Sequence, residues 1–210
     1  MIENRCGIAL ILMTLPPDTE YTLPKLLHLA QTLKITGKGE LFHTDYLIQL
    51  YNAIGKHPSR LRFTRENILQ ALDKGHAIAF AYDRDKNNTP ILSQGKTAHW
   101  ALAVAYYTLS DCCSRNTHYD MNASADDTTQ LYLQNSAPAQ VGETDVVILV
   151  CQHARSRLIG HWSLDGVLES NAQLRHARVS RDDGYVVPSS DQGQQDELFG
   201  LRGWCVEIVE

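Results

Sequence analysis

An α+β fold, with an N-terminal helical lobe packed on a mostly antiparallel sheet, is predicted by three features of this chain. The first third carries helix start and stop signals, and from His76 onward short apolar runs alternate with polar turns. The length of 210 residues and a hydrophobic content of 43% suit one globular domain, residues 1–210, with an ample core.

The elements follow in order. Residues 7–14 take up the unbroken apolar run that Cys6 opens and that extends to Met13, residues 24–33 carry proline at the first turn, and residues 44–53 stop before Gly55, so each reads as a helix. Thr64 is an N-cap candidate for a fourth helix through Leu72, which Lys74 and Gly75 close. Residues 76–82 then read as a largely buried strand, 83–90 as a polar turn, and 99–107 as a strand with partial period-two alternation. Further strands are predicted at 146–151, 157–162, 184–187 and 202–208, with a short helix over 163–170 between them. Residues 110–143 are rich in Ser, Asn, Asp and Thr without sustained periodicity and read as a surface-loop insertion splitting two strands of a hairpin.

Composition narrows the function. A net charge of -5 and the lack of a Lys/Arg stripe argue against a nucleic-acid partner. The apolar run near the N-terminus is about ten residues, ends at Pro16-Pro17 and lacks a charged leader, so neither a membrane span nor a signal peptide is expected and the location is predicted to be cytoplasmic. Five cysteines, Cys6, Cys112, Cys113, Cys151 and Cys205, show no Cys-x-x-Cys spacing. Reduced thiols, with no metal and no cofactor, are the expectation.

Two residues carry the chemistry. Cys6 opens the first helical run, where unpaired backbone N–H groups and the positive dipole end favour a thiolate. His99 heads a strand after Gly95-Lys96-Thr97, where an imidazole base is held firmly beside a cleft. A buried structural cysteine and a structural histidine are the competing reading. Trp100, Trp162 and Trp204 sit in strand settings that favour the core over a substrate groove, and Cys112-Cys113 reads as two free thiols rather than a redox pair.

A cysteine-bearing helical lobe followed by a histidine-bearing sheet is the order of parts in papain-like thiol peptidases. Closer still, Cys6-Gly7-Ile8-Ala9-Leu10, Phe80-Ala81-Tyr82-Asp83-Arg84-Asp85-Lys86-Asn87 and Gly95-Lys96-Thr97-Ala98-His99-Trp100-Ala101 resemble successive blocks of the actin maturation protease family. So do Arg155-Ser156, Trp162-Ser163, Glu169-Ser170-Asn171-Ala172-Gln173-Leu174, Tyr185-Val186-Val187-Pro188 and Gly200-Leu201, the Glu-Ser-Asn-Ala-Gln-Leu block being the most specific.

That resemblance implies a cytosolic cysteine aminopeptidase that removes the acetylated N-terminal Met or Cys from immature actin. By position, Cys6 matches the nucleophile and His99 the general base. Papain-like sites also use an oxyanion donor, typically a glutamine about six residues ahead of the cysteine. Five residues precede Cys6 here, so that donor is expected from a longer N-terminus or from backbone N–H groups at Cys6. Gln152 and Ser156 are the polar residues nearest in sequence to the position of an orienting third member, and Arg155 and Arg157 are candidates to attract an acidic substrate. The seven prolines are scattered, so the proline-rich extension through which animal members are thought to engage profilin is not supported by this chain. A catalytically impaired actin-binding member, and a papain-like thiol hydrolase with another substrate, stay open as alternatives.

Overall fold

The computed structural model describes residues 6–109, 145–154, 156, 158–179, 181–188 and 196–209. The expected insertion at 110–143, with Cys112 and Cys113, lies outside the described residues, as do Arg155 and Arg157.

Helices α1 (Cys6–Met13), α2 (Leu23–Thr32) and α3 (Thr44–Ala53) form the expected N-terminal lobe. The Thr22 hydroxyl caps α2 by accepting from Lys25 N, and the His43 imidazole caps α3 by accepting from Asp45 N at 3.1 Å. Strand β1 (Ser59–Arg62) precedes α4 (Arg65–Asp73), whose N-cap is Thr64 as predicted. Strands β2 (Ala77–Arg84), β3 (Pro90–Ile91), β4 (Ala98–Leu109), β5 (Val146–Gln152), β6 (Gly160–Ser163) and β7 (Trp204–Ile208) complete the sheet, with α5 (Leu164–Ala172) between β6 and β7.

Among the described residues all strand pairings are antiparallel, in the order β1-β7-β2-β4-β5-β6, with β3 on the end of β2. β4 and β5 are direct neighbours, as the hairpin reading required. Period-two alternation along the central strands splits the core between two faces. Ala79, Ala81, Trp100, Leu102, Val206 and Ile208 pack with the N-terminal helices, where Ile8, Leu10 and Ile11 of α1 are at most 1% exposed. Ile78, Phe80, Tyr82, Ala101, Ala103 and Cys205 pack with α4 and α5 on the other side. Each fully buried aliphatic side chain contributes about 1.5–3 kcal/mol, so the apolar surface of α1 holds it to the sheet.

Some sequence expectations need correction. The polar turn begins later than Asp83, because β2 runs through Arg84 and Pro90 already belongs to β3. Residues 184–187 are not a strand: a 3-10 turn covers Arg181–Asp183, and Val186 N donates instead to the Glu40 carboxylate. β1, a short strand of Ser, Arg and Leu without an alternating apolar face, was not foreseen.

The Glu-Ser-Asn-Ala-Gln-Leu block now has a physical reason. Asn171, 1% exposed at the end of α5, donates to Ala81 O at 2.9 Å and Leu201 O at 3.1 Å and accepts from Gly203 N at 2.7 Å, tying α5 to β2 and the turn before β7. Ser170 accepts from Asp83 N at 2.9 Å and donates to Ile91 O at 2.8 Å. Asn171→Ala takes their side-chain partner from Ala81 O and Gly203 N, whereas Leu201 O keeps Trp204 N at 3.2 Å, and is expected to lower stability by about 2–3 kcal/mol in urea unfolding. A loss below about 1 kcal/mol would contradict that role.

Candidate active site

Cys6 is the first residue of α1 and His99 the second of β4, and both line one cavity of about 320 Å³. Gly7 explains how the helix comes so close: a Cβ there would lie 3.0 Å from Leu41 Cδ1 and 3.1 Å from Trp100 Cδ1. Trp100 is fixed in turn by its indole N–H, which donates to Leu41 O at 2.9 Å.

Of the three described cysteines, Cys6 is half-buried while Cys151 and Cys205 are fully buried. Burial pushes the Cys151 thiol up, and burial followed by the nearby Glu207 carboxylate pushes Cys205 up to about 12. Neither is suited to act as a thiolate near neutral pH. Burial, and then the neighbouring Cys151 and Cys6 sulfurs, likewise push the Tyr82 phenol above its ordinary value, so it serves as a neutral hydroxyl that donates to Asn88 O at 2.9 Å.

His99 is 3% exposed and pairs with Tyr82 in the β2–β4 register, the two rings meeting edge-on at 6.2 Å between centroids. A second imidazole, His153, stands edge-on to His99 at 5.9 Å, is 4% exposed, and stacks on Trp162 at 6.0 Å. His153 is not among the residues the sequence singles out. Its signal was position: it follows β5 directly, and β5 lies beside the strand that carries His99. Gln152 and Ser156 line a different cavity with Leu158 and Ile159, so they do not share the space between Cys6 and His99.

The loop that leads into His99 is organised by Asp83, which is fully buried. One carboxylate oxygen accepts from Ser93 N at 3.1 Å, Gly95 N at 2.7 Å and Gln173 Nε2 at 2.6 Å, and the other from Thr97 N at 2.9 Å and the Thr97 hydroxyl at 3.1 Å. Gln173 also accepts from Gln94 N, and Gln94 O receives His176 N at 2.9 Å. Gly95 has φ +93, and a Cβ there would lie 2.6 Å from His176 O, so only glycine fits where the loop crosses the 175–177 segment.

A second buried carboxylate, Glu40, lines the cavity itself. Its oxygens accept from Gly37 N and Lys38 N, each at 3.0 Å, and from Val186 N at 3.3 Å. Both carboxylates are thus bound by backbone N–H groups of loops at the cavity.

The sequence model of the family described as actin maturation protease-like, C-terminal domain, matches residues 2–107. An actin maturation protease from Danio rerio is 27% identical over 93% of this chain and 67% of its own length. The Drosophila melanogaster protein of that name is 24% identical over 97% of this chain and 65% of its length, and the Homo sapiens one is 28% identical over 88% and 57%. The chain therefore spans about two thirds or less of these relatives. No solved structure matches it.

Asp83→Asn replaces one acceptor oxygen with an NH2 group, which then faces two or three of the five donors. It is expected to lower stability by about 2–4 kcal/mol in urea unfolding. Asp85→Asn, in the exposed turn where that carboxylate accepts from Asn87 N and Thr89 N, is expected to cost less than about 1 kcal/mol. Equal losses would show that Asp83 is not the anchor of this loop.

Proposed function

The chain belongs to the actin maturation protease-like family, matched through its C-terminal domain, and from that membership we propose that it is a papain-like cysteine aminopeptidase. In this reading residues 1–210 are one peptidase domain with a surface-loop insertion at 110–143, acting in the cytoplasm to remove the acetylated N-terminal Met or Cys from immature actin. The observation that carries it is that Cys6 and His99 line the same cavity from two elements, a helix N-terminus and a strand start. Among the described residues, no group of three or more His, Cys, Asp or Glu is arranged to hold a metal, and no helix is long and apolar enough to cross a membrane.

Cys6 is the nucleophile. Its sulfur attacks the carbonyl carbon of the acetylated residue, aided by the N–H groups at the head of α1, which favour the thiolate. His99, protonated by the thiol, returns that proton to the departing amine as the C–N bond breaks, leaving a thioester on Cys6. Water, deprotonated by His99, then attacks the thioester, releases the acetylated amino acid and regenerates the thiol. Each proton taken is given back, so no further reagent is needed.

The cavity suits a blocked terminus. Glu40 is its one carboxylate among the described lining residues, and three backbone N–H groups take most of its roughly four acceptor sites, which makes it a poor anchor for a free ammonium. An acetyl group asks only for a small, largely apolar niche, and Leu41, Phe42 and Trp100 supply such surface.

Mass spectrometry of acetyl-Met-Asp-Asp and acetyl-Cys-Asp-Asp peptides before and after incubation is expected to show loss of the acetylated first residue. Cys6→Ala and His99→Ala should each slow this by more than about a thousandfold while leaving the fold intact. Intact peptides together with measurable actin binding would favour a catalytically impaired member. Cleavage of ubiquitin or leader-peptide fusions alone would point to another thiol hydrolase.

A further inference from the structure

We propose that Lys96 and Arg178, supported by Arg84, form a cationic subsite that binds acidic side chains immediately after the bond to be cut; this rests on the aminopeptidase reading above. All three line the cavity that holds Cys6 and His99. Glu40 is the one acidic side chain among the described lining residues, so the three cations outnumber the carboxylates there. None of the ion pairs among the described residues includes these cations. In a chain of net charge -5, such a local surplus of positive charge opposes the overall balance.

The backbone presents these side chains at fixed positions. Lys96 stands between Gly95 and Thr97, whose N–H groups are both bound to the buried Asp83 carboxylate. Arg178 follows a segment pinned by His176 N on Gln94 O and by Ala177 N on Glu197 at 2.8 Å. The Lys96 and Arg178 side chains are exposed, free to reach a ligand. Arg84 is half-buried, and its guanidinium donates to Asp85 O at 3.0 Å, a bond to a neutral group that leaves its charge uncompensated.

The direction along the substrate follows from the reaction. When a single capped residue is removed, nothing precedes it, so cations beside the reacting groups meet only what comes after the cut. Carboxylates there are attracted by Coulomb forces that weaken with salt.

The test uses the full chain carrying Cys6→Ala, so that peptides bind without turnover, and fluorescence anisotropy of labelled, C-terminally amidated acetyl-Met-Asp-Asp-Asp and acetyl-Met-Asn-Asn-Asn. The acidic peptide is expected to bind about tenfold tighter at low salt, with the gap narrowing as salt rises. Adding Lys96→Gln and Arg178→Gln should bring the two affinities within about twofold of one another. Equal or undetectable binding of both peptides, or a preference that survives the double substitution, would overturn the subsite. So would a gain of the same size when the Asn peptide carries only a free C-terminal carboxylate. An acidic preference in this assay without cleavage by the unsubstituted chain supports the subsite and overturns the peptidase reading.

Discussion

The buried Asp83 carboxylate is the constraint on which the rest of the cavity depends. It sits at the end of β2 with no exposure and gathers Ser93, Gly95, Thr97 and Gln173 around its two oxygens. A carboxylate taken out of water is tolerated only when its lone pairs are satisfied, and here five donors do so. In return the 93–97 loop is tied to the end of β2 at three of its five residues, just ahead of the strand that carries His99. The same helix end that sends Gln173 to Asp83 sends Ser170 to the neighbouring backbone and Asn171 to Ala81 and Gly203. Removing this polar clasp would loosen both the strand that carries the proposed base and the loop that carries Lys96.

A complementary constraint comes from the apolar side. α1 has no polar face, and it lies against Trp100 and Leu41 through Gly7, whose missing side chain lets the helix approach. Cys6 and His99 thus reach one cavity because an apolar helix is driven onto one face of the sheet while a polar clasp fixes the strand head at its end. Of the described cysteines, the two in strands are sealed in the core on the other face, and burial keeps them as thiols.

Much of this was legible in the sequence, for identifiable reasons. Thr64 and the run from Cys6 to Met13 announced helices because capping and apolar continuity are local signals. Cys6 and His99 stood out because each polar side chain heads an apolar element. What was not legible depends on contacts distant in the chain. β1 exists because β7 pairs with it, and residues 184–187 stay irregular because Val186 binds Glu40, 146 positions away. Asp83 read as the start of a turn, since nothing local says that its donors come from ten to ninety residues downstream. His153 escaped notice for the same reason, its partner ring lying on a neighbouring strand.

In the proposed reaction the Cys6 sulfur and the His99 imidazole act on one another across the cavity. The most direct test is the rate of Cys6 alkylation by iodoacetamide as a function of pH, followed by peptide mapping, in the unsubstituted chain and in His99→Gln. An imidazolium beside the sulfur favours the thiolate, so the unsubstituted chain should keep reacting on the acid side, whereas His99→Gln should move the rise in rate toward the ordinary thiol range, about pH 8.5. Superimposable profiles would mean that the two groups do not interact, and the proposed catalytic pair would fall.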